Sequence, residues 1–141
     1  MDSLPKRGKE LQSDYVVKIE DAAEALRAVA SLGDRIRPVL RASELRTVAA
    51  DDLWMSPCHQ RPSLPIHFTW KPDKDGVRVL FPAIEDKLAP FEARPRGSKL
   101  FVMGSSILRL RYEKVEDFRK LARKEDAQGK CQNQFTREHL F

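Results

Sequence analysis

Two short segments of the chain place polar side chains at alternating positions. Glu44 and Arg46 stand two apart in one segment, and His67 and Thr69 stand two apart in an aromatic one. Residues two apart on a β-strand point to the same face of the sheet. If both segments are strands of one sheet, a carboxylate, a guanidinium, an imidazole and a hydroxyl can form the polar floor of a small-ligand site.

Each of these residues also has a plainer structural interpretation. Glu44 and Arg46 can form a solvated ion pair worth ~0.2–1 kcal/mol. A histidine such as His67 on a short aromatic strand is more often structural than catalytic, and β propensity alone explains Thr69. Lys99, which follows a Gly-Ser turn, is on its own typical of a surface lysine. Periodicity alone therefore predicts a soluble α+β domain and leaves its purpose open.

Composition excludes several classes of protein. The 141 residues suit one domain, and 41% hydrophobic with 33% charged residues is typical of a soluble globular protein. No apolar run approaches the ~20 residues of a membrane span, and no secretory signal is recognisable, so we expect a cytoplasmic protein. The net charge of +5 is spread along the chain, which does not favour nucleic-acid binding. Cys58, Cys131 and the scattered histidines lack metal-ligand spacing, so no metal site is expected.

Hydrophobic periodicity predicts alternating strands and helices. In chain order, the sequence predicts a strand over 10–19, a helix over 20–32, a strand over 36–48, a strand over 66–71, a helical stretch over 73–91 that Pro82 kinks or delays, a short strand over 100–103, and helical pieces over 106–111 and 115–124. Residues 1–9 are expected to be a disordered or linker segment.

This order is that of an α+β fold, a split βαβ (ferredoxin-like) antiparallel sheet with helices on one face and a helical C-terminal tail. The helices would cover one face of the sheet. The opposite face, with the four polar side chains, would then lack a cover from this chain, which is a reason to expect a ligand or partner there.

Five segments carry a more specific signal, and they lie at 11–15, 43–51, 53–57, 67–71 and 129–135. In their order and spacing they resemble the C-terminal part of the D-arabinono-1,4-lactone oxidase family, which includes the bacterial alditol (xylitol) oxidases. The combination of Glu-x-Arg-Thr at 44–47 with His-Phe-Thr-Trp at 67–70 is what makes the resemblance specific.

The resemblance implies a function for residues 10–141, as the substrate (cap) domain portion of an FAD-linked oxidase. Members of the family carry FAD on an N-terminal domain, and the substrate domain closes over the flavin. Glu44, Arg46 and Thr69 would then bind the hydroxyls of a sugar lactone or alditol. His67 and Lys99 would lie near the carbon being oxidised, where one of them assists removal of the hydroxyl proton.

The same resemblance implies a site that this sequence does not complete. Asn133, in the last matching segment, is a candidate cofactor contact, but nothing resembles the FAD-binding domain, so an FAD-binding domain or subunit is expected as a partner. The chain is expected to be inactive without it, as a fragment, a split-gene product or a remnant. A non-catalytic polyol-binding or protein-interaction module derived from the same domain is the alternative.

One turn departs from the family pattern. Members commonly have His-Trp-Gly-Lys where this chain has Arg96-Gly97-Ser98-Lys99. The lysine is kept, but the histidine and the tryptophan are lost, which alters one wall of the expected pocket.

Overall fold

The computed structural model describes residues 10–141. Its helices and strands are, in chain order, β1 (Leu11–Lys18), α1 (Ala22–Ala30), α2 (Gly33–Ile36), β2 (Leu40–Leu45), β3 (Ser63–Trp70), α3 (Lys74–Arg78), α4 (Phe81–Leu88), β4 (Arg94–Pro95), α5 (Ser105–Arg111), α6 (Val115–Glu125) and α7 (Gln134–His139). The linker expected over 1–9 lies outside the described residues.

The four strands form one sheet in the order β2-β3-β1-β4, and every neighbouring pair is antiparallel. The central pair, β1 and β3, is in register from Leu11 opposite Trp70 to Lys18 opposite Ser63. Helices are inserted between β1 and β2 and between β3 and β4. The predicted α+β fold, a split βαβ sheet with a helical C-terminal tail, is confirmed.

Alternation along the two central strands builds the main core on one face of the sheet. Helices α1 and α4 pack over this face, and the buried residues shared by strands and helices include Tyr15, Val17, Ala25, Val29, Ile66, Phe68, Trp70, Ile84 and Leu88. The Trp70 ring stacks on Phe68 with a centroid separation of 5.0 Å. Its indole Nε1 donates to Ser13 Oγ at 2.5 Å, which satisfies the polar group of a fully buried side chain.

The predicted helical stretch over 73–91 is divided into two helices. Asp73 caps α3, because its side chain accepts a hydrogen bond from the Gly76 backbone N–H at 2.9 Å. Pro82 lies in the first turn of α4, where a missing N–H costs no helical hydrogen bond. Pro82 thus delays the start of the second helix, one of the two outcomes that the sequence predicts.

Three strand predictions differ from the structure, and in the first of them β3 begins at Ser63, three residues earlier than predicted. The strand expected over 36–48 begins only at Leu40, because the preceding residues close the short helix α2, where the Arg37 N–H bonds Gly33 O at 2.9 Å. The strand expected over 100–103 is not formed; β4 is Arg94–Pro95 and pairs with β1. A proline is tolerated there because β4 is an edge strand.

The second face of the sheet is half covered by the connection between β2 and β3. Arg61 in this connection is buried and donates through Nη2 to Val16 O at 2.9 Å. Arg94 of β4 is also buried and donates to the carbonyl oxygens of Pro57 and His59 at 3.2 and 3.1 Å. Burial, and to a lesser extent the neighbouring Arg94, lowers the pKa of Arg61 to about 10, so it stays charged at neutral pH.

The C-terminal helices α5, α6 and α7 enclose a second apolar cluster that includes Met103, Leu108, Tyr112 and Val115. The Tyr112 hydroxyl donates to Pro95 O at 2.8 Å, which ties this cluster to β4. Helices α5 and α6 lie within a residue of their predicted bounds, whereas α7 occupies an end of the chain for which no helix is predicted.

A helix needs ~20 residues to cross a bilayer. The longest helix within residues 10–141 is α6, with 11 residues, and no helix there is long and apolar enough for a crossing.

The core on the helical face predicts the effect of truncating Ile84, which is fully buried on α4. We expect Ile84→Ala to lower the free energy of unfolding by about 2–5 kcal/mol, since it removes buried methyl groups and leaves a cavity. Urea denaturation at equilibrium measures this. Val79→Ala, at a position that is 65% exposed, is the control and should change stability by less than about 0.5 kcal/mol. Equal effects would contradict this description of the core.

Candidate functional site

The open half of the second face carries two polar cross-strand rows. In the first row Glu44 of β2 lies opposite His67 of β3, which lies opposite Asp14 of β1. In the second, Thr69 of β3 lies between Ala42 and Gln12 in the same way. These side chains point away from the helices because they alternate with the buried residues of the core.

A β-bulge puts Glu44 on this face. Leu40 pairs with Trp70 and packs against the core, and in a regular strand Glu44, four residues later, would share its face. The register shifts between Leu40 and Ala42, so one extra residue, Arg41, is accommodated and the following side chains change sides. Glu44 consequently lies opposite His67 rather than over the core.

The edge of the site is formed by the segment that follows β4. It continues along β1, with the Arg96 N–H bonded to Asp14 O at 2.9 Å and the Leu100 N–H bonded to Gln12 O at 2.8 Å. This places Arg96 and Lys99 beside the two polar rows. The Lys99 ammonium donates to Gln12 Oε1, and Arg96 Nε lies 3.3 Å from Asp14 Oδ2.

These elements surround one open cavity of about 500 Å³. Its lining includes every residue that the sequence predicts as catalytic or substrate-binding, namely Glu44, Arg46, His67, Thr69 and Lys99. The structure brings the five side chains together, and their roles remain predictions. Arg46 lies just beyond β2 and forms an ion pair with Glu44 in which both side chains stay more than half exposed, so both can reach a ligand.

His67 lies between two polar neighbours. Its Nε2 is 3.3 Å from Thr69 Oγ1, and its Nδ1 is 3.9 Å from Asp14 Oδ2. The side chain is 12% exposed. It therefore lies between these neighbours in the floor of the cavity, with a small part of its side chain exposed.

Asp14 is the lining residue whose environment is least favourable to its charge. It is 4% exposed, and its Oδ1 has no hydrogen-bond partner within residues 10–141. Burial raises the pKa of this carboxyl group above its usual range. The nearby charges of Arg96, His67, Arg46 and Lys99 act in the opposite direction but do not cancel the effect of burial.

Gln12, Asp14 and Arg96 also line the cavity, although the sequence predicts no catalytic or substrate-binding role for them. Gln12 and Asp14 stand two apart on a strand that was predicted, so the alternation that selected Glu44 and Arg46 could have found them. Arg96 belongs to the turn that the resemblance implies for one wall of the pocket, and its contact with Asp14 depends on how the segment after β4 pairs with β1.

Asn133, the predicted cofactor contact, is not among the residues that line the cavity. It caps α7, where its side-chain oxygen accepts a hydrogen bond from the Thr136 N–H at 2.9 Å. The cap uses one lone pair of the amide oxygen, so its second lone pair and the NH₂ group are left for a cofactor.

The turn at 96–99, which departs from the family pattern, lies against Phe135 of α7. A Cβ atom placed on Gly97 would come within 3.3 Å of the Phe135 ring. A large side chain at 97 would therefore require α7 to move, and Phe135 covers the turn instead. Arg96, at the position of the family's histidine, contacts Asp14.

Two comparisons with known proteins found sequences similar to this chain. The family model described as D-arabinono-1,4-lactone oxidase matches residues 5–139. An alditol oxidase of Streptomyces sp. (strain IKD472 / FERM P-14339) is 41% identical over 136 residues, which is 96% of this chain and 33% of that protein. The chain thus spans about a third of the length of the curated relative it matches.

The buried Asp14 carboxylate predicts a pH-dependent loss of stability. Because its folded-state pKa is raised, the folded chain keeps a proton that the unfolded chain releases near the ordinary value of 3.8. The stability of the unaltered chain therefore falls as pH rises through the window between these two pKa values, and Asp14→Asn lacks this loss. We expect the variant to gain stability relative to the unaltered chain over that window.

Urea denaturation at a series of pH values measures the difference. Asp34→Asn is the matched control, because the Asp34 side chain is fully exposed, and its curve should run parallel to that of the unaltered chain. A parallel curve for Asp14→Asn would contradict the net effect of burial on Asp14.

Proposed function

The chain belongs to the D-arabinono-1,4-lactone oxidase family, and from that premise we propose that residues 10–141 are the substrate-domain part of an FAD-dependent oxidoreductase. The enzyme would oxidise a CH–OH group of an aldonolactone or an alditol, with oxygen as the acceptor. The observation that carries the proposal is the single polar cavity that Glu44, Arg46, His67, Thr69 and Lys99 share. The activity is proposed for a protein that also has an FAD-binding domain or subunit.

The residues of the cavity suit the substrate side of a flavin site. They offer hydroxyl, carboxylate, guanidinium, imidazole and ammonium groups on a surface that is open away from the core, and FAD would complete the site on that open side. When bound, FAD would supply the acceptor for the hydride that leaves the carbinol carbon. Asn133 remains the candidate in this chain for a contact with it.

Glu44 and Arg46 are suited to binding a polyol. A carboxylate accepts hydrogen bonds from substrate hydroxyls, and a guanidinium donates them. Because the two groups are paired at 2.5 Å, each compensates the charge of the other when a substrate excludes water from the cavity. Thr69, on the neighbouring strand, adds a hydroxyl that can donate or accept.

His67 and Lys99 are the candidates for handling the substrate's hydroxyl proton. A carbinol carbon releases hydride readily only if its O–H proton is accepted nearby, and a neutral imidazole accepts protons near neutral pH. His67 can therefore act as the base. Lys99, held by Gln12, can donate a hydrogen bond to the oxygen on which negative charge develops.

Exposed apolar side chains at the end of β2 and in the segment after it support a partner surface. They follow Glu44 along the chain, and their exposed fractions are 52% for Leu45, 38% for Val48, 69% for Leu53 and 40% for Trp54. A surface with such side chains is suited to protein contact. We propose that the FAD-binding domain or subunit docks there.

A hybrid enzyme tests the proposal. The chain replaces the matching third of the Streptomyces alditol oxidase, and peroxide release from xylitol is measured together with the flavin absorption band. Lys99→Ala should abolish peroxide release while the flavin band remains. Lys87→Ala, at an exposed lysine on α4, is the control and should have no effect.

Two outcomes would contradict parts of the proposal. A hybrid that binds flavin but releases no peroxide would favour the non-catalytic polyol-binding alternative. Unchanged peroxide release from Lys99→Ala would remove Lys99 from the site.

The same hybrid enzyme tests whether Arg46 binds the substrate. A hydrogen bond to a charged group contributes about 1.5–3 kcal/mol, so Arg46→Gln should raise KM about 10- to 100-fold and change kcat less. Steady-state kinetics measure both constants. Arg37→Gln, at a side chain that is 82% exposed and outside the cavity, should leave KM unchanged. A loss confined to kcat in Arg46→Gln would place Arg46 in the chemical step instead of in binding.

A further inference from the structure

The position of Asp14 needs an explanation beyond the stability of the fold. A carboxylate that is 4% exposed and has one oxygen without a partner in the described chain is costly to bury. Asp14 forms an ion pair with Arg96, and the Arg96 side chain is 46% exposed. A salt bridge of that kind forms equally well at the surface, so it does not explain why the carboxylate lies inside the sheet face.

The charged and titratable groups around Asp14 come from three parts of the chain. His67 faces it from β3, with Nδ1 at 3.9 Å from Oδ2. Arg96 and Lys99 face it from the segment after β4, and Arg46 faces it from beyond β2. Of these, His67 is the group whose proton can occupy either of two positions, and the carboxylate lies on its Nδ1 side.

We propose that Asp14 is a positioning residue for His67, whose carboxylate selects the imidazole tautomer with the proton on Nδ1. A neutral imidazole carries one N–H, and placing it on the nitrogen nearer a carboxylate is electrostatically favoured. Nε2 is then the acceptor, 3.3 Å from Thr69 Oγ1 and on the side of the ring away from Asp14. A base that takes a substrate proton needs an unprotonated nitrogen of this kind.

This inference deepens the proposed function and rests on it for its meaning, but its test needs neither flavin nor substrate. A failed oxidase assay and an unaltered tautomer are therefore separate results. The probe is the uniformly ¹⁵N-labelled full chain, observed by long-range ¹H–¹⁵N correlation of the imidazole rings above the pH at which they titrate. Replacement of each of the three histidines in turn by glutamine assigns the signals.

In the unaltered chain the Nδ1–H form of His67 should be the major tautomer. In Asp14→Asn the amide NH₂ can donate to Nδ1, and the Nε2–H form should become the major one. Glu10→Gln is the matched control, because Glu10 lines the same cavity but pairs with Arg41, and it should leave the His67 tautomer unchanged. A merely structural Asp14 would not move this signature, so an unchanged His67 tautomer in a folded Asp14→Asn chain overturns the proposal.

His67→Gln tests the same contact from the other side if Asp14→Asn does not fold. The Asp14 carboxyl ¹³C signal is followed as a function of pH. Loss of the imidazolium should move the pKa of Asp14 further upward, because that charge favours the ionised carboxylate. His139→Gln, in α7, should not move it. An unshifted Asp14 titration in His67→Gln would overturn the proposal.

Discussion

The irregular pairing of β2 with β3 at Arg41 decides which side of the sheet carries Glu44. Leu40 belongs to the core before the irregularity, and Glu44 belongs to the polar face after it. Since the side-chain period of a strand is two residues, a regular β2 would turn Glu44 toward the helices, where an unpaired carboxylate is costly. A single extra residue thus lets one short strand serve both the core and the cavity.

One half of the polar face is covered by the connection between β2 and β3, and the other half is open. Two buried arginines, Arg61 and Arg94, contribute hydrogen bonds at the covered half. The connection between β2 and β3 folds over one half of the face, and its carbonyl oxygens need donors because they lie away from water. Arg94 supplies donors to the carbonyl oxygens of Pro57 and His59, and Arg61, within the connection, donates to Val16 O of β1, since a guanidinium offers several N–H groups in a fixed geometry. These guanidinium–carbonyl hydrogen bonds act together with backbone hydrogen bonds of the connection, such as the pair between Val48 and Ser63. The cavity lies in the other half, where polar side chains of β1 and β3 form its floor.

The sequence predicted the features that depend on local periodicity and missed those that depend on a partner strand. Alternation located the central strands, and Pro82 marked the delayed start of α4, because both signals are written in neighbouring residues. The bulge at Arg41 and the two-residue strand β4 are set by pairing across the sheet, which alternation within one segment does not encode. The five predicted site residues could be grouped from spacing and resemblance. The burial of Asp14 could not, because it depends on where the segment after β4 runs.

A comparison of the buried Asp14 with the half-buried Glu85 separates a structural carboxylate from one that belongs to the cavity. Burial raises the pKa of Glu85, as it does that of Asp14. Glu85 Oε1, however, accepts from the Tyr15 hydroxyl and from the Val102 N–H, both at 2.8 Å, so it joins α4 to β1 and to the chain before α5. These contacts account for Glu85 as part of the fold.

Asp14 does not join two elements in this way among the described residues. One of its oxygens lacks a partner, and the other faces a half-exposed arginine and an imidazole. Two carboxyl groups with the same direction of pKa shift thus differ in what they contact. The contacts, and not the shift, are what assign Asp14 to the cavity.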